Sequence, residues 1–304
     1  MHLPTTLLLL CQSHLTHATP PKRGLVYIGS KTSPTDDKTW ASKNTDLTWY
    51  YNFGSNPTPS LSNTKYEYVP MLWGAPTTSP SSGTFYNTVK GLKDGGMNIT
   101  HVLGFNEPDG ATSTGGSAIS ASDAAKIWIS EMQPLRSLGV KLGAPATVGS
   151  GAGILWLQAF FKACGGNCDV DFFPIHWYGG FGGLAGYVGS MRATFGNGSG
   201  NVKWWVTEFA YPQGSVGDAG AFLNESLKWL DGQADVERYS YFGTYRTSVS
   251  NWVGPGAAML DGEGRLTDIG GLYLGTRDVG TGGAMGMKSL SWGLLVLVVL
   301  PLLV

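Results

Sequence analysis

The chain has 304 residues, of which 13% are charged and 12% aromatic, and its formal net charge is −1. So little charge gives no electrostatic footing for nucleic acid or an anionic membrane surface, and no case for a disordered chain. No linker-like tract, short-period repeat or low-complexity run divides the middle, so one large domain is expected.

In chain order, residues 3–10 form an apolar run too short to span a bilayer, followed by polar residues and the small Ala18. This predicts a signal peptide over 1–18. Lys22-Arg23 is a candidate dibasic trimming site that would make 19–23 a short pro-segment, with ordinary surface charge as the other reading.

Strand-like runs then alternate with helix-like segments. The strand candidates are 24–29, 47–53, 66–73, 101–106, 141–146, 171–178, 203–208 and 238–244. Most are continuously apolar or aromatic, the pattern of parallel strands covered on both faces. Helical patterning is clearest over 122–138, where Ala124, Ile127, Trp128, Met132, Leu135 and Leu138 share a face and Ser122 is placed to cap it. Further helices are predicted over 84–93, 154–163, 184–194 and 219–230, while the connections after the first two strands look short and irregular.

Cys11 leaves with the leader, and Cys164 and Cys168 remain as a pair suited to a small disulfide loop at a helix end. A metal site would need further ligands at nearby spacing, so no metal and no cofactor are expected. Sequons at Asn98, Asn197 and Asn224 suit a glycosylated exterior. Residues 276–289 form a small-residue spacer ahead of the apolar tail 290–304, a pattern of glycolipid attachment in which the tail is removed. A retained membrane helix is the alternative, but it would be short for a span of about 20 residues.

Eight βα units over residues 24–275 match a single-domain α/β fold, the (β/α)₈ TIM barrel. A doubly wound sheet competes, yet the first strand is not followed by a glycine-rich phosphate turn. In such a barrel the C-terminal strand ends converge on one mouth, which sorts the seven glutamates. Glu131 and Glu225 fall within helices, Glu67 and Glu237 near strand starts, and Glu263 in a late loop. Glu107 and Glu208 end the fourth and seventh strands, where they would face each other and work as an acid–base pair on a bond between them.

Here the chain resembles a known family. Leu-Gly-Phe-Asn-Glu-Pro-Asp at 103–109, Ile-His-Trp-Tyr at 175–178 and Trp-Val-Thr-Glu-Phe-Ala at 205–210 are similar to glycoside hydrolase family 128, endo-β-1,3-glucanases that include fungal cell-wall proteins of the alkali-sensitive-linkage type. The resemblance implies a retaining mechanism with Glu107 as general acid/base and Glu208 as nucleophile, for which the carboxyl groups should stand about 5 Å apart. Asn106 would hold a sugar hydroxyl, and His176 and Tyr178, which share a strand face, would orient nucleophile and substrate. Trp73, Tyr211 and Phe242 fall at or just past strand ends, where stacking on sugar rings and core packing are both open. The expected partner is a β-glucan of the cell wall, and the expected protein is a secreted, anchored monomer. A non-catalytic glucan-binding protein and a glycosidase for another β-glucan linkage are the rival readings.

Overall fold

Among the described residues, continuous apolar runs become parallel strands, because each is covered on both faces by side chains of neighbouring elements. The computed structural model describes residues 22–30, 32–42, 45–75, 83–196 and 202–276. The expected leader, the C-terminal spacer beyond Thr276, the apolar tail and Asn197 lie outside these residues. Strands β1 (Arg23–Val26), β2 (Trp49–Tyr51), β3 (Glu67–Tyr68), β6 (Phe172–Tyr178), β7 (Lys203–Ala210) and β8 (Val236–Tyr241) form a six-stranded sheet in the order β3-β2-β1-β8-β7-β6. Strands β4 (His101–Val102) and β5 (Lys141–Leu142) form a second pair, and every pairing is parallel. Helices α1 (Asp37–Trp40), α2 (Thr84–Asp94), α3 (Ala121–Ile127), α4 (Gly151–Cys164), α5 (Phe181–Phe195), α6 (Val216–Gly232) and α7 (Asp268–Leu274) occupy the connections, except that β2 reaches β3 through a single 3₁₀ turn. The result is one α/β domain, a parallel sheet flanked by helices.

Backbone hydrogen bonds also join the strand pair to the large sheet. Leu103 N–H donates to Pro70 O at 2.9 Å and Asn106 N–H to Trp73 O at 2.9 Å. On the other flank Asp171 N–H donates to Leu142 O at 2.8 Å and Ala144 N–H to Phe172 O at 2.9 Å. The ladders here are shorter than expected, and β4 ends at Val102 rather than at residue 106. Gly104 accounts for the break: a Cβ there would stand 2.8 Å from the Trp128 ring and 2.9 Å from Gly143 O, so helix and strand press directly on its backbone. Past Val102 the pairing continues as single bridges on either side of Gly104, Met71 with Leu103 and Asn106 with Ala146.

The helix expected over 122–138 is in fact three segments. Ser120, not Ser122, caps it, its hydroxyl accepting the Asp123 N–H. The helical path then widens into a π turn at Trp128–Met132 and tightens into a 3₁₀ segment at Gln133–Leu138, where Pro134 supplies no N–H for an α-helical bond. The π turn seats fully buried Glu131, whose carboxylate accepts the N–H groups of Thr84, Phe85 and Tyr86 at 3.2, 2.8 and 3.2 Å. A charge therefore caps the positive N-terminal end of α2. Cys164 and Cys168 are joined in a disulfide directly after α4.

Strand alternation divides the core in two. Leu25, Tyr50, Phe173, Trp204 and Val206 face the helices, while Val26, Trp49, Tyr51, Phe172 and Trp205 meet on the opposite face with Val69, Met71 and Leu103. At the N-terminal strand ends this inner layer is closed by charge. Arg238 donates to Glu67 at 2.6 Å and lies 4.3 Å over the Trp205 ring, and His101 stands 3.1 Å from Glu67.

Candidate active site

At the other end of the strands the sequence delivers its carboxylates. Glu107 follows the Asn106–Ala146 bridge with φ at +41°, a left-handed conformation that costs energy for any residue with a β-carbon. Its N–H donates to Ala146 O at 2.6 Å, and its carbonyl accepts from Gly110 N–H at 2.9 Å and Ser117 N–H at 3.1 Å. Gly116 makes this wrap feasible, since a Cβ there would stand 2.4 Å from Gly110 O and 2.7 Å from Glu107 O. Asp109 adds a second tie, its carboxylate accepting Val148 N–H at 3.0 Å, so the loops after β4 and β5 are bound to each other beside the site.

Glu208 lies within β7, paired in register with His176 of β6. His176 is fully buried; its Nδ1 lies 2.9 Å from Glu107 Oε1 and its Nε2 3.6 Å from Glu208 Oε1. Atoms of the two carboxylates and the imidazole all fall within 4.8 Å of one another. Glu208 receives two phenols, Tyr51 at 3.2 Å on Oε1 and Tyr178 on Oε2. Burial holds both phenols well above the usual tyrosine range, reinforced by the Glu208 charge, so both remain donors.

These surroundings set the charges. Burial raises the Glu208 pKa and the His176 charge works against that, but the Glu107 charge adds to the rise and the net shift is upward. Burial alone would lower the His176 pKa, yet Glu208 and the hydrogen bond to Glu107 outweigh it and the imidazolium is favoured. Two carboxylates this close resist simultaneous ionisation, and a cation between them is the compensation. Among the described residues these three also stand close enough to share a metal ion. Two of the three donors are already bonded to each other, an arrangement that serves proton exchange directly.

A cavity of about 300 Å³ opens above the pair, lined by Asn106, Trp73, Tyr178, Phe242 and, unanticipated by the sequence, Phe53 and Trp252. Asn106 is buried; its amide donates to Gly115 O at 3.0 Å, and its Oδ1 is without a protein partner. Trp73 and Trp252 are 38% and 53% exposed, so flat apolar rings are offered to a ligand. Tyr211 does not join them: its ring packs on Phe222 of α6 at 6.0 Å, outside the cavity lining. Of the sequons, Asn98 is exposed, whereas Asn224 sits within α6 with its Oδ1 buried.

Known proteins share this arrangement of strands. A family model described as glycosyl hydrolase catalytic core matches residues 24–273. Alkali-sensitive linkage protein 1 of Schizosaccharomyces pombe is 34% identical over 264 residues, a match covering 83% of this chain and 44% of that protein. The chain thus spans less than half the length of this curated relative. Among solved structures, a family 128 (subgroup III) curdlan-specific exo-β-1,3-glucanase from Blastomyces gilchristii in complex with glucose is 32% identical at TM-score 0.66, covering 84% of this chain and 99% of that one. A subgroup II endo-β-1,3-glucanase from Pseudomonas viridiflava is 28% identical at TM-score 0.65, covering 83% and 96%. The chain therefore belongs to the glycosyl hydrolase catalytic core family and, within it, to glycoside hydrolase family 128.

Proposed function

We propose that this protein is a retaining glycosidase that cleaves β-1,3-glucan, with Glu208 as nucleophile and Glu107 as general acid/base. The observation that carries the reading is the closeness of the two carboxylates, an oxygen of one lying within 4.8 Å of an oxygen of the other, with His176 beside both. Retention calls for about 5–5.5 Å, whereas inversion needs about 6.5–9.5 Å to admit a water. Glu208 attacks the anomeric carbon as the glycosidic C–O bond breaks and the Glu107 proton passes to the departing oxygen. Glu107 then takes a proton from water, the hydroxide attacks the same carbon, and the ester to Glu208 breaks. The phenols of Tyr51 and Tyr178 favour the ionised nucleophile, and the His176 proton on Nδ1 steadies Glu107 in either role. Asn106 lines the cavity, where its side chain would hold a sugar hydroxyl, and Trp73 and Trp252 suit the apolar faces of pyranose rings.

We infer further that the eight strands close into a (β/α)₈ barrel, supported by the hydrogen bonds on both flanks of the β4–β5 pair. The apolar run at 3–10, the disulfide, and the spacer and tail over 276–304 support secretion to the cell wall with a glycolipid anchor. Release from membranes by a phosphatidylinositol-specific phospholipase tests the anchor.

The anomeric configuration of the first product from a laminari-oligosaccharide, followed by NMR, tests the mechanism. The β anomer is expected and the α anomer overturns it. Glu208→Ala should bind glucan while losing cleavage by at least about 10³-fold. Unchanged cleavage would remove Glu208 from the chemistry, and glucan binding without cleavage by the wild type would favour a binding protein.

A further inference from the structure

Among the described residues, Phe53, Glu107, Ala118 and Gln213 are the non-glycines whose backbone takes a positive φ. Phe53 and Glu107 line the active-site cavity, and Ala118 follows the Ser117 whose N–H bonds the Glu107 carbonyl. Gln213 has no place of that kind: it is exposed, in the loop between β7 and α6, and outside the cavity lining. Its φ is +56°, a torsion that is unfavourable for a residue with a β-carbon and persists only where the surroundings enforce it.

What enforces it is the loop after β8. Gln213 N–H donates to Val253 O at 2.7 Å, and the side-chain amide donates through Nε2 to Trp252 O. One residue thus grips two successive carbonyls. The two loops also meet backbone to backbone, since a Cβ on Gly256 would stand 2.2 Å from Gly214 O. Within the gripped segment Asn251 Oδ1 accepts the N–H groups of Val253 and Gly254, both at 2.9 Å, and the Tyr245 hydroxyl donates to Gly254 O at 3.2 Å. Held in this way, Trp252 offers a half-exposed ring to the cavity and packs 4.4 Å from the Tyr178 ring, whose phenol bonds Glu208. A ring so exposed has little burial of its own to fix it, so its place is set by the backbone that carries it. We propose that Gln213 is a positioning residue: it never touches substrate, and its amide and left-handed backbone together hold the Trp252 ring at the cavity beside Tyr178. The inference rests on the glucanase reading above.

Gln213→Glu keeps the length and the torsion but turns the N–H donor into an acceptor facing Trp252 O, whereas Gln213→Gly removes the amide and relieves the torsion. The side chain is exposed, so both variants should fold. On laminaripentaose each should raise KM by about 3–10-fold with a smaller change in kcat. In a Trp252→Ala background the same two substitutions should change KM by less than about twofold, because the ring they position is gone. An unchanged KM overturns the proposal, also when Tm falls, and so does an equal rise in the Trp252→Ala background. The same cycle read as calorimetric Kd in Glu208→Ala protein needs no turnover. Failure of the wild type to cleave laminarin would therefore overturn the glucanase reading while the binding cycle still decides the role of Gln213, and absence of any binding would overturn both.

Discussion

Tyr178 donates its phenolic hydrogen to Oε2 of Glu208 across the β6–β7 ladder, two residues beyond the histidine that pairs with Glu208 in register. The bond supports the carboxylate and not the carboxylic acid, so removing it disfavours ionised Glu208, the proposed nucleophile. Tyr178→Phe should lower kcat by about 10–10³-fold and move the acidic limb of the pH–rate profile to higher pH. Tyr51→Phe should do the same more weakly, because its bond is longer at 3.2 Å. Profiles of kcat/KM against pH for the two variants check the order.

The active site should cost the folded protein stability as pH rises. The pKa values of Glu208 and His176 are both raised on folding, so the native state binds more protons than the unfolded one. For Glu208 the loss begins above its ordinary carboxylate range and for His176 above the ordinary imidazole range, each complete once pH exceeds the folded-state pKa. Glu208→Gln should accordingly raise Tm by a few degrees near pH 8 and by little at pH 4, as measured by calorimetry.

Glu67 works in the opposite sense. Burial alone would raise its pKa, but His101, Arg238 and Thr100 together pull it down to about 2. The stability it supplies is present above the unfolded carboxylate pKa and disappears as pH falls toward 2. A shift of this size corresponds to something on the order of 3 kcal/mol. Glu67→Gln should be destabilised by roughly that amount at pH 7 and should converge with the wild type near pH 2, as read from urea midpoints.

Glu131→Gln tests the buried cap of α2. The amide keeps one acceptor oxygen where the carboxylate offered two, and it removes the negative charge from the helix terminus. A loss of about 2–4 kcal/mol is expected, with kcat/KM at low temperature unchanged.

Trp252→Ala should raise KM for laminari-oligosaccharides by about 5–30-fold, equivalent to the ~1–2 kcal/mol of one aromatic contact. Because this ring lies 4.4 Å from the Tyr178 ring, a smaller fall in kcat should accompany it.

Glu107 and Glu208, the proposed catalytic pair, were singled out because an acid follows an apolar run, although β7 continues past Glu208 to Ala210 and β4 stops before Glu107. His176 and Tyr178 were legible through parity, being two residues apart on one strand. Tyr51 was not, because Trp49, Tyr50 and Tyr51 are all buried aromatics and nothing in the run tells which face meets Glu208. Trp252 lies in a loop, where no period marks the side that faces the mouth. The ladder of β4 was overdrawn because hydrophobicity continues through Gly104 although regular pairing does not. Ser120 caps this helix in place of Ser122 because its backbone is extended and its hydroxyl accepts the Asp123 N–H, neither of which the apolar stripe reports.

The left-handed backbone at Glu107 bears on how inactive forms of this protein should be made. Alanine or glutamine there removes the acid and keeps the torsional penalty, while glycine removes both and asparagine removes the acid and lessens the penalty. An acid-deficient variant built with Gly or Asn should therefore outlast its Ala counterpart on heating, and it is the better choice for holding an uncleaved glucan in a crystal. The same comparison weighs, in degrees of melting temperature, what the chain gives up to aim one carboxylate.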